Sequence, residues 1–473
     1  MKKLVGASVV FLAVWAVSKP ATGYGQDFFR DLGTSRSSGG YGPVVPSDYS
    51  YEQGSPSGLR DLNPGQDLSL PLPGGMEDDQ RYNFALGNFR FGIAVGVGME
   101  WNDNIRLSQN NRESDWVFRP VLNLDATWKM SDLNTLRFNI GLSYAKYFNH
   151  HDLDTDGVLI SPTSDVNYTF FVGSVKFTLR DRVSYQEDTY DIPELSGVSK
   201  YERWENQAGL EMDWAINQSV SITLGYDHYN LWTKGDQPDD SFSLQDRAID
   251  TVFLKPSYQI SPAITLGLNS SFSWINFKSD DRADGTDLLV GPFIEWQISE
   301  YTNMYLEGGF QDLRFDGTSN FNNAAIDQLG LSASDAAAVR GVLGDNEDST
   351  NFYIKFEINN RPSDSFRHRL SYSHTSEIGF SSDFYKIDHV EYNADWKAIQ
   401  HTEIGPSVFY EHYTTSGALD EKADRVGAAL ALRYHMNNSI TLGLDYRYVW
   451  KNSNIDGNDY YQNLIFASIY YKF

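Results

Sequence analysis

The chain has 473 residues, no cysteine and a formal net charge of −25 at pH 7. The absence of cysteine excludes disulfides, thiol nucleophiles and thiolate metal sites, and the negative charge argues against nucleic acid as a partner. Aromatic residues make up 14% of the chain. Because acidic disordered chains are poor in aromatics, the sequence predicts a folded protein.

The first residues have the features of an export signal. Two lysines follow the first Met, residues 4–17 are apolar, and Ala21 and Gly23 are small residues at signal-peptidase spacing. A membrane anchor is the alternative, but it needs about 20 apolar residues and this run is shorter. We therefore predict a signal peptide over 1–23. No later apolar run in the sequence is long enough for a spanning helix.

The segment 24–86 changes in composition to Gly, Ser, Pro and Asp and shows no sustained period. Such composition predicts a flexible linker, here on the periplasmic side. The alternative is an N-terminal segment that threads the barrel predicted below as a plug.

Two-residue alternation begins after Asn88. From Phe89 to Trp101 the odd-numbered residues are apolar, and the even-numbered ones are small or charged. The same alternation recurs in 135–148, 426–436 and 440–450. Period two over this length predicts strands with one apolar face.

About eighteen such strands of roughly 9–14 residues follow one another, long enough to cross a bilayer when tilted. The predicted spans are 89–101, 115–128, 135–148, 164–172, 175–186, 204–216, 220–232, 247–260, 264–277, 286–298, 302–315, 350–360, 365–376, 385–398, 402–414, 423–436, 440–450 and 460–473. The predicted fold over 87–473 is an all-β, membrane-spanning, antiparallel up-and-down β-barrel of about 18 strands.

The connections between the predicted strands alternate between short turns and longer polar loops, as in transmembrane barrels. Similar turns recur, for example around 214–225, 258–267 and 434–443, which makes the repeating unit a hairpin. Propeller blades have comparable periods. The tryptophan pattern favours the barrel over a propeller, and the alternation places the N-terminus in the periplasm.

Ten tryptophans after the signal peptide share the apolar parity of their strands and fall at strand ends. In a soluble sandwich they would concentrate in the middle of the core, whereas two belts at strand ends are typical of the two lipid–water interfaces. Those at short-turn ends are Trp128, Trp214, Trp296 and Trp396, and those at long-loop ends are Trp101, Trp116, Trp204, Trp232, Trp274 and Trp450.

The last strand ends on Phe473, with Tyr471 on the same side. A terminal aromatic with this alternation resembles the signal that the outer-membrane assembly machinery reads; an ordinary final strand is the alternative. Four prolines lie inside predicted strands on the lipid-facing parity, where each removes a backbone donor, so we expect bulges or local breaks there. They are Pro120, Pro256, Pro292 and Pro406.

The stretch 97–105, ending in Trp101-Asn-Asp-Asn-Ile105, and the following stretch 115–125 with its central Pro120-Val-Leu122 resemble the opening of the β-barrel porin type 2 family. The resemblance would run from about Phe89 to the C-terminus. It implies an outer-membrane location and a pore, and some members resemble proteins encoded with exopolysaccharide export systems.

The inward parity carries charges of both signs in roughly equal number. Opposite charges on adjacent strands would pair and stiffen the wall; a transverse field that sorts solutes by charge is the alternative. The candidate lumen-facing charges are Arg119, Arg137, Lys176, Arg180, Arg182, Glu205, Glu211, Asp213, Arg367 and Arg369.

One loop carries Asp152, Asp154 and Asp156 before Gly157, the first half of a calcium-binding loop. The bidentate ligand expected at the twelfth position is replaced by Thr163, so simple solvation competes with a structural calcium. No other cofactor is expected. The longest loop, 316–349, either folds inward as a constriction or lies over the mouth, and we favour the mouth.

A barrel of this size encloses a water-filled channel unless loops plug it. The sequence therefore predicts an outer-membrane porin-like channel for passive diffusion of small hydrophilic solutes. An outer-membrane conduit or accessory protein for exopolysaccharide export is the alternative. No nucleophile elbow, metalloprotease helix or phosphate loop is present in the sequence, so we do not expect an enzyme. The expected partners are lipid, lipopolysaccharide, the assembly machinery and the solute, and no sequence feature assigns an oligomeric state.

Overall fold

A computed structural model describes residues 83–187, 189, 192–234, 241–320, 344–417 and 420–473. The predicted signal peptide 1–23, nearly all of the predicted linker 24–86 and the centre of the 316–349 loop lie outside these residues. Among the described residues, no helix is long and apolar enough to cross a membrane.

The described chain is a single antiparallel sheet of 21 strands. The strands of the first half are β1 Phe84–Leu86, β2 Phe89–Asn102, β3 Asp115–Ser131, β4 Asn134–Ser143, β5 Lys146–Tyr147, β6 Leu159–Ile160, β7 Asp165–Val172, β8 Val175–Gln186, β9 Arg203–Ala215 and β10 Val220–Thr233.

The second half continues the same up-and-down order. Its strands are β11 Arg247–Ser261, β12 Ile264–Phe277, β13 Gly285–Ser299, β14 Thr302–Phe315, β15 Ser349–Ser363, β16 Phe366–Ile378, β17 Phe384–Ile399, β18 Thr402–Thr415, β19 Lys422–His435, β20 Ile440–Ser453 and β21 Tyr460–Lys472. Short 3-10 turns lie at 151–153 and 241–245.

The sheet closes on itself because β2 pairs with β21, from Ala94 opposite Lys472 to Asn102 opposite Leu464. The result is a closed barrel of 18 wall strands, since β1, β5 and β6 are short additions to the wall. The predicted fold class and strand number are confirmed. Strand β1 lies within the last residues of the segment predicted as linker and pairs with the start of β2, beyond the point where β21 ends.

The third predicted strand is divided, whereas the fourth forms the single strand β7. The span 135–148 is formed by β4 and β5, and the span 164–172 is preceded by the short β6. The interruption at 144–145 faces Pro120 on β3, where the ladder lacks two residue pairs while the register on either side is unchanged.

The other three strand prolines have the same effect. Beside Pro256, Pro292 and Pro406 the ladder to one neighbour lacks two residue pairs without a register shift. The expected local breaks are therefore present at all four prolines, but none is a bulge. A missing N–H donor removes hydrogen bonds without requiring an extra residue.

Side chains alternate between an apolar outer face and a polar inner face. Leu210, Leu254, Leu268 and Val408 are exposed on the outside. Their neighbours in sequence point inward, as the period of two requires. Short turns join the strands at one end of the barrel, and nine longer loops, named L1 to L9 in chain order, join them at the other. Those discussed below are L3 (187–202), L5 (278–284), L6 (316–348), L7 (379–383) and L9 (454–459).

Candidate functional site: the lumen and its long-loop end

Aromatic rings lie flat against the inner wall because glycines face them. A Cβ on Gly427 would come within 1.8 Å of the Phe409 ring, and one on Gly267 within 2.2 Å of the Phe293 ring. Both rings are only 3% exposed although they face inward. The Lys255 ammonium lies 4.2 Å from the centre of the Phe293 ring. At Phe293 the lumen therefore meets a charged group above the ring rather than a protruding ring.

Most of the predicted lumen charges bind a polar or charged partner on the same strand or one to two strands away. Arg119 binds Glu100 at 2.8 Å, Lys176 binds Asp213 at 2.9 Å, and Arg180 reaches Asp227 at 2.8 Å. The remaining predicted charges pair as follows: Arg182 with Gln207 at 2.6 Å, Glu205 with Arg203 at 2.8 Å, Arg367 with Asp395 at 2.7 Å and Arg369 with Glu391 at 3.6 Å. Arg137 and Glu211 also interact within the structure. Contacts of this kind stiffen the wall, as expected from the sequence.

The burial of these pairs differs between the two ends of the barrel. Near the short turns, Arg137 is exposed and the Arg367–Asp395 pair remains 30% and 53% exposed. Near the long loops, Arg425 and Glu411 form an ion pair of 2.9 Å in which both side chains are 0% exposed. The lumen is therefore open to water at the short-turn end and more closely packed at the long-loop end.

Loop L3 enters the lumen at the long-loop end; its residues 187, 189 and 192–202 are described. This loop leaves the barrel between β8 and β9 and reaches the opposite wall. The hydroxyl of Tyr413 on β18 donates to the carbonyl of Pro193 at 3.0 Å, and Lys451 on β20 donates to Ser196 Oγ at 2.9 Å. L3 therefore crosses the lumen.

The tip of the β16–β17 hairpin also enters the lumen. Pairing of β16 with β15 ends at His374 opposite Ile354, whereas pairing of β16 with β17 continues to Ile378 opposite Phe384. Ile378 and Phe384 belong to one buried cluster with the inward-facing Ile249 and Leu313. The hairpin tip therefore leans across the lumen onto the inner faces of β11 and β14.

L7, residues 379–383, is the turn at this tip, and L3 holds it. Glu194 of L3 accepts hydrogen bonds from the backbone N–H of Phe380 and from the hydroxyls of Ser381 and Ser382, both at 3.1 Å. Burial raises the pKa of Glu194, and these hydrogen bonds oppose the rise. The two segments that narrow the lumen are thus joined by one buried carboxylate.

Two further carboxylates, Asp345 of L6 and Asp383 of L7, join these two loops. Asp345 Oδ2 accepts from the backbone N–H of Asp383 at 2.9 Å, and Asp383 Oδ1 accepts from the hydroxyl of Ser319 at 2.5 Å. Burial raises the pKa of Asp383 to about 7, and the nearby charge of Asp345 adds to the rise. The described ends of L6 therefore pack on L7 at the mouth, where we expected the 316–349 loop.

The structure places the predicted tryptophans on the outer wall. Nine of them are 39–49% exposed, and Trp101 is partly buried opposite Trp116. Trp204 lies opposite Trp232 at the long-loop end, and Trp214 ends β9 at the short turns. This arrangement is what two interfacial belts require, and their contact with lipid remains a prediction.

The predicted assembly signal lies at the barrel seam. Tyr471 pairs with Val95 on β2, the backbone N–H of Phe473 donates to the Ile93 carbonyl at 3.3 Å, and the two aromatic rings are 5.0 Å apart. The side chains of both residues are exposed. Their recognition by the assembly machinery stays a prediction.

The structure does not assemble the predicted calcium loop. Asp154 pairs with Lys146, Asp156 with Lys234 at 2.5 Å, and Asp152 with Arg106 at 3.7 Å. No group of three histidine or acidic side chains suited to a metal is found among the described residues. Each carboxylate is held by a different cation, so the three do not converge on one point.

Sequence analysis missed a repeated polar triad on the outer wall. In three places a Tyr hydroxyl and a His Nδ1 two residues later lie within 3.0 Å of the same Asp oxygen on the next strand. The triads are Tyr226, His228 and Asp250; Tyr372, His374 and Asp388; and Tyr410, His412 and Asp424. Two donors on each carboxylate allow it to sit on this face. The recurrent Tyr-x-His spacing was the available signal.

A closed barrel with an apolar outer face and a polar lumen is the class of protein found in outer membranes. Comparison of the sequence with known families agrees. The profile of the family described as "Putative outer membrane beta-barrel porin, MtrB/PioB" matches residues 173–473. The chain belongs to this family and is an outer-membrane β-barrel. The porin class expected from the opening motif is confirmed, although that motif lies before the matched residues.

No protein of curated function matches the sequence. Among solved structures, the chain is similar to OpdK of Pseudomonas aeruginosa, crystallised with vanillate, with 11% identity, a TM-score of 0.42 and coverage of 81% of this chain and 99% of that one. It is likewise similar to OccAB4 of Acinetobacter baumannii, with 13% identity, a TM-score of 0.42 and coverage of 81% and 98%.

Proposed function

We propose that the protein is a porin-like channel for the passive diffusion of small hydrophilic solutes across the outer membrane. The observation that carries the proposal is a closed 18-strand wall whose inner face is charged and, at the short-turn end, exposed to water. A barrel of this size has room for an aqueous path unless segments occupy it. The family to which the chain belongs is one of porins, so we assign it transport and no catalytic step.

The long-loop end sets the size limit in this proposal. L3 and the β16–β17 tip meet across the lumen, so the path narrows there to what passes beside them. This geometry suits small solutes. An extended polymer needs an unobstructed bore, which makes the exopolysaccharide conduit the less suited alternative. Lipopolysaccharide around the outer wall and the assembly machinery at the β2–β21 seam complete the proposed partners.

Reconstitution tests the proposal. Purified protein in planar bilayers should show discrete conductance steps, and proteoliposomes should swell in small sugars but not in oligosaccharides. A variant in which a short Gly-Ser linker replaces 192–200 should conduct more and admit larger sugars, because the segment that crosses the lumen is gone. A variant with the same linker in place of 454–458 in L9 serves as the control for loop shortening. Absence of conductance in the wild type and in both variants would contradict a diffusion channel.

A further inference from the structure

Two arginines are buried side by side where the inner wall meets the hairpin tip. Arg247, at the start of β11, is 5% exposed, and Arg282, in L5, is 4% exposed. Both donate to the same oxygen, Oε1 of Gln245, at 3.3 and 2.9 Å. Two guanidinium groups therefore meet at one neutral acceptor in a site from which water is largely excluded.

Arg247 has an unused binding edge. Its Nη1 donates to the backbone oxygen of Gln245 at 2.9 Å, while its Nε is buried without a hydrogen-bond partner. In the described part of the chain no carboxylate forms an ion pair with it. Two other buried arginines near the long loops do have one, since Arg203 pairs with Glu205 at 2.8 Å and Arg425 with Glu411 at 2.9 Å.

Further donors and apolar groups surround this edge. Tyr229 faces inward on β10, two residues from the partner of Arg247 in the ladder, and its hydroxyl is buried without a hydrogen-bond partner. The next carboxylate along the chain, Asp246, is held by the backbone and hydroxyl of Thr233 at 2.6 and 2.7 Å. Three rings meet at the same level: Tyr201 lies 5.3 Å from each of Phe242 and Phe380.

The charge balance is uneven around Arg282 as well. Arg282 donates to the carbonyls of Gly379 and Ser382 in L7 at 2.7 and 3.1 Å. The carboxylates of Glu194 and Asp383 lie near Arg282. Burial lowers the pKa of Arg282 to about 9, and the charge of Arg247 is the next cause. On the Arg247 side the nearby carboxylates, Glu205 and Asp246, are bound by Arg203 and Thr233, so neither forms an ion pair with Arg247.

We propose that Arg247, Arg282 and Tyr229 form a binding site for one small oxyanion, a carboxylate or a phosphate, at the narrow end of the lumen. The Nε and Nη2 atoms of arginine form a planar fork that matches two oxygens of such a group, which a halide lacks. The Tyr229 hydroxyl would supply a further donor. An anion here supplies the opposite charge that two buried guanidinium groups require. The inference rests on the proposed channel and names anionic solutes as the class that is held at its constriction.

Binding to the full-length protein in detergent tests the site without requiring conduction. Inorganic phosphate is titrated at constant ionic strength, followed by broadening of its ³¹P resonance, with acetate as competitor. The wild type should bind both ions. Arg247→Gln should weaken binding at least tenfold, Arg247→Lys should also weaken it because the fork is lost, and Tyr229→Phe should have a smaller effect. Arg367→Gln, at the exposed short-turn end, is the matched control and should bind as the wild type does.

Equal binding by Arg247→Gln and the wild type would overturn the proposal, as would no binding by a wild type that is folded by its gel mobility. The Arg247→Lys and Tyr229→Phe variants keep the test valid if Arg247→Gln does not fold. Conductance is measured separately. Phosphate binding without conductance would support the site and contradict the channel, whereas conductance without phosphate binding would contradict the site alone.

Discussion

Acidification should stabilise the packing of the loops around L7, and substitution of Asp383 should remove most of that effect. Asp383 has a pKa of about 7 in the packed arrangement because it is buried beside Asp345, whereas its ordinary value is 3.8. A carboxyl whose pKa is raised binds its proton more tightly when the loops are packed. The stabilisation is therefore fully present below about pH 4 and is lost as the pH rises through about 7.

The size of the effect follows from the two pKa values. Between about 4 and 7 the ratio of packed to separated loops should change by up to about tenfold per pH unit, with a ceiling of about 4 kcal/mol over the whole range. Glu194 acts in the same direction, because its pKa is also raised. Arg282, with its pKa lowered to about 9, titrates above this window.

Single-channel recording between pH 4.5 and pH 7.5 measures the effect as the fraction of time spent in the low-conductance state. That fraction should rise on acidification in the wild type and rise much less in Asp383→Asn, which keeps the shape of the side chain but cannot ionise. Asp395→Asn is the control, because Asp395 lies exposed at the other end of the barrel. Wild-type pH dependence in Asp383→Asn, or opening of the wild type by acid, would refute the reasoning.

Three further predictions concern the wall. Changing Arg180 and Arg182 to Glu moves the lumen charge by about four units, so the reversal potential should shift towards cation selectivity. The unboiled protein should keep its folded mobility on a gel. An unchanged reversal potential would place these residues away from the ion path. Gly427→Ala puts a Cβ within 1.8 Å of Phe409 and should cost about 1–3 kcal/mol in urea unfolding. Gly405→Ala, with its nearest neighbour at 3.6 Å, should be nearly neutral, and equal losses would count against the ring slot. Deleting Phe473 removes a backbone donor and a ring from the β2–β21 seam, so heat-modifiable protein should accumulate more slowly in a pulse-chase experiment, and normal kinetics would exclude the predicted role.

The wall could be predicted from the sequence because each strand carries its own pattern. The span 264–277 was predicted from period two alone, and β12 occupies Ile264–Phe277. The breaks in pairing beside the prolines could be predicted for the same reason, because the loss of one backbone donor is a local property. The break at 144–145 was missed because apolar alternation continues through it.

The filling of the long-loop end could not be predicted in this way. The hydrogen bond between Glu194 and Phe380 joins residues 186 positions apart, in loops that have no period. Ile378 and Phe384 have the parity of lipid-facing residues, and only the loss of pairing between β15 and β16 turns them into the lumen. The calcium site stays a prediction, and spacing alone could not show that Asp152, Asp154 and Asp156 each face a different cation.

Pairing within the wall determines where a solute meets an electric field. Arg119 with Glu100, Arg425 with Glu411, and Arg433 with Asp445 are close pairs whose fields cancel over a short distance. At Arg247 and Arg282 two like charges lie together beside a neutral amide, in a site of low exposure where charges are poorly screened. The same level of the barrel is where L3 and the hairpin tip leave the least room. Selection by charge and selection by size therefore act at one place, so changes there should affect both together.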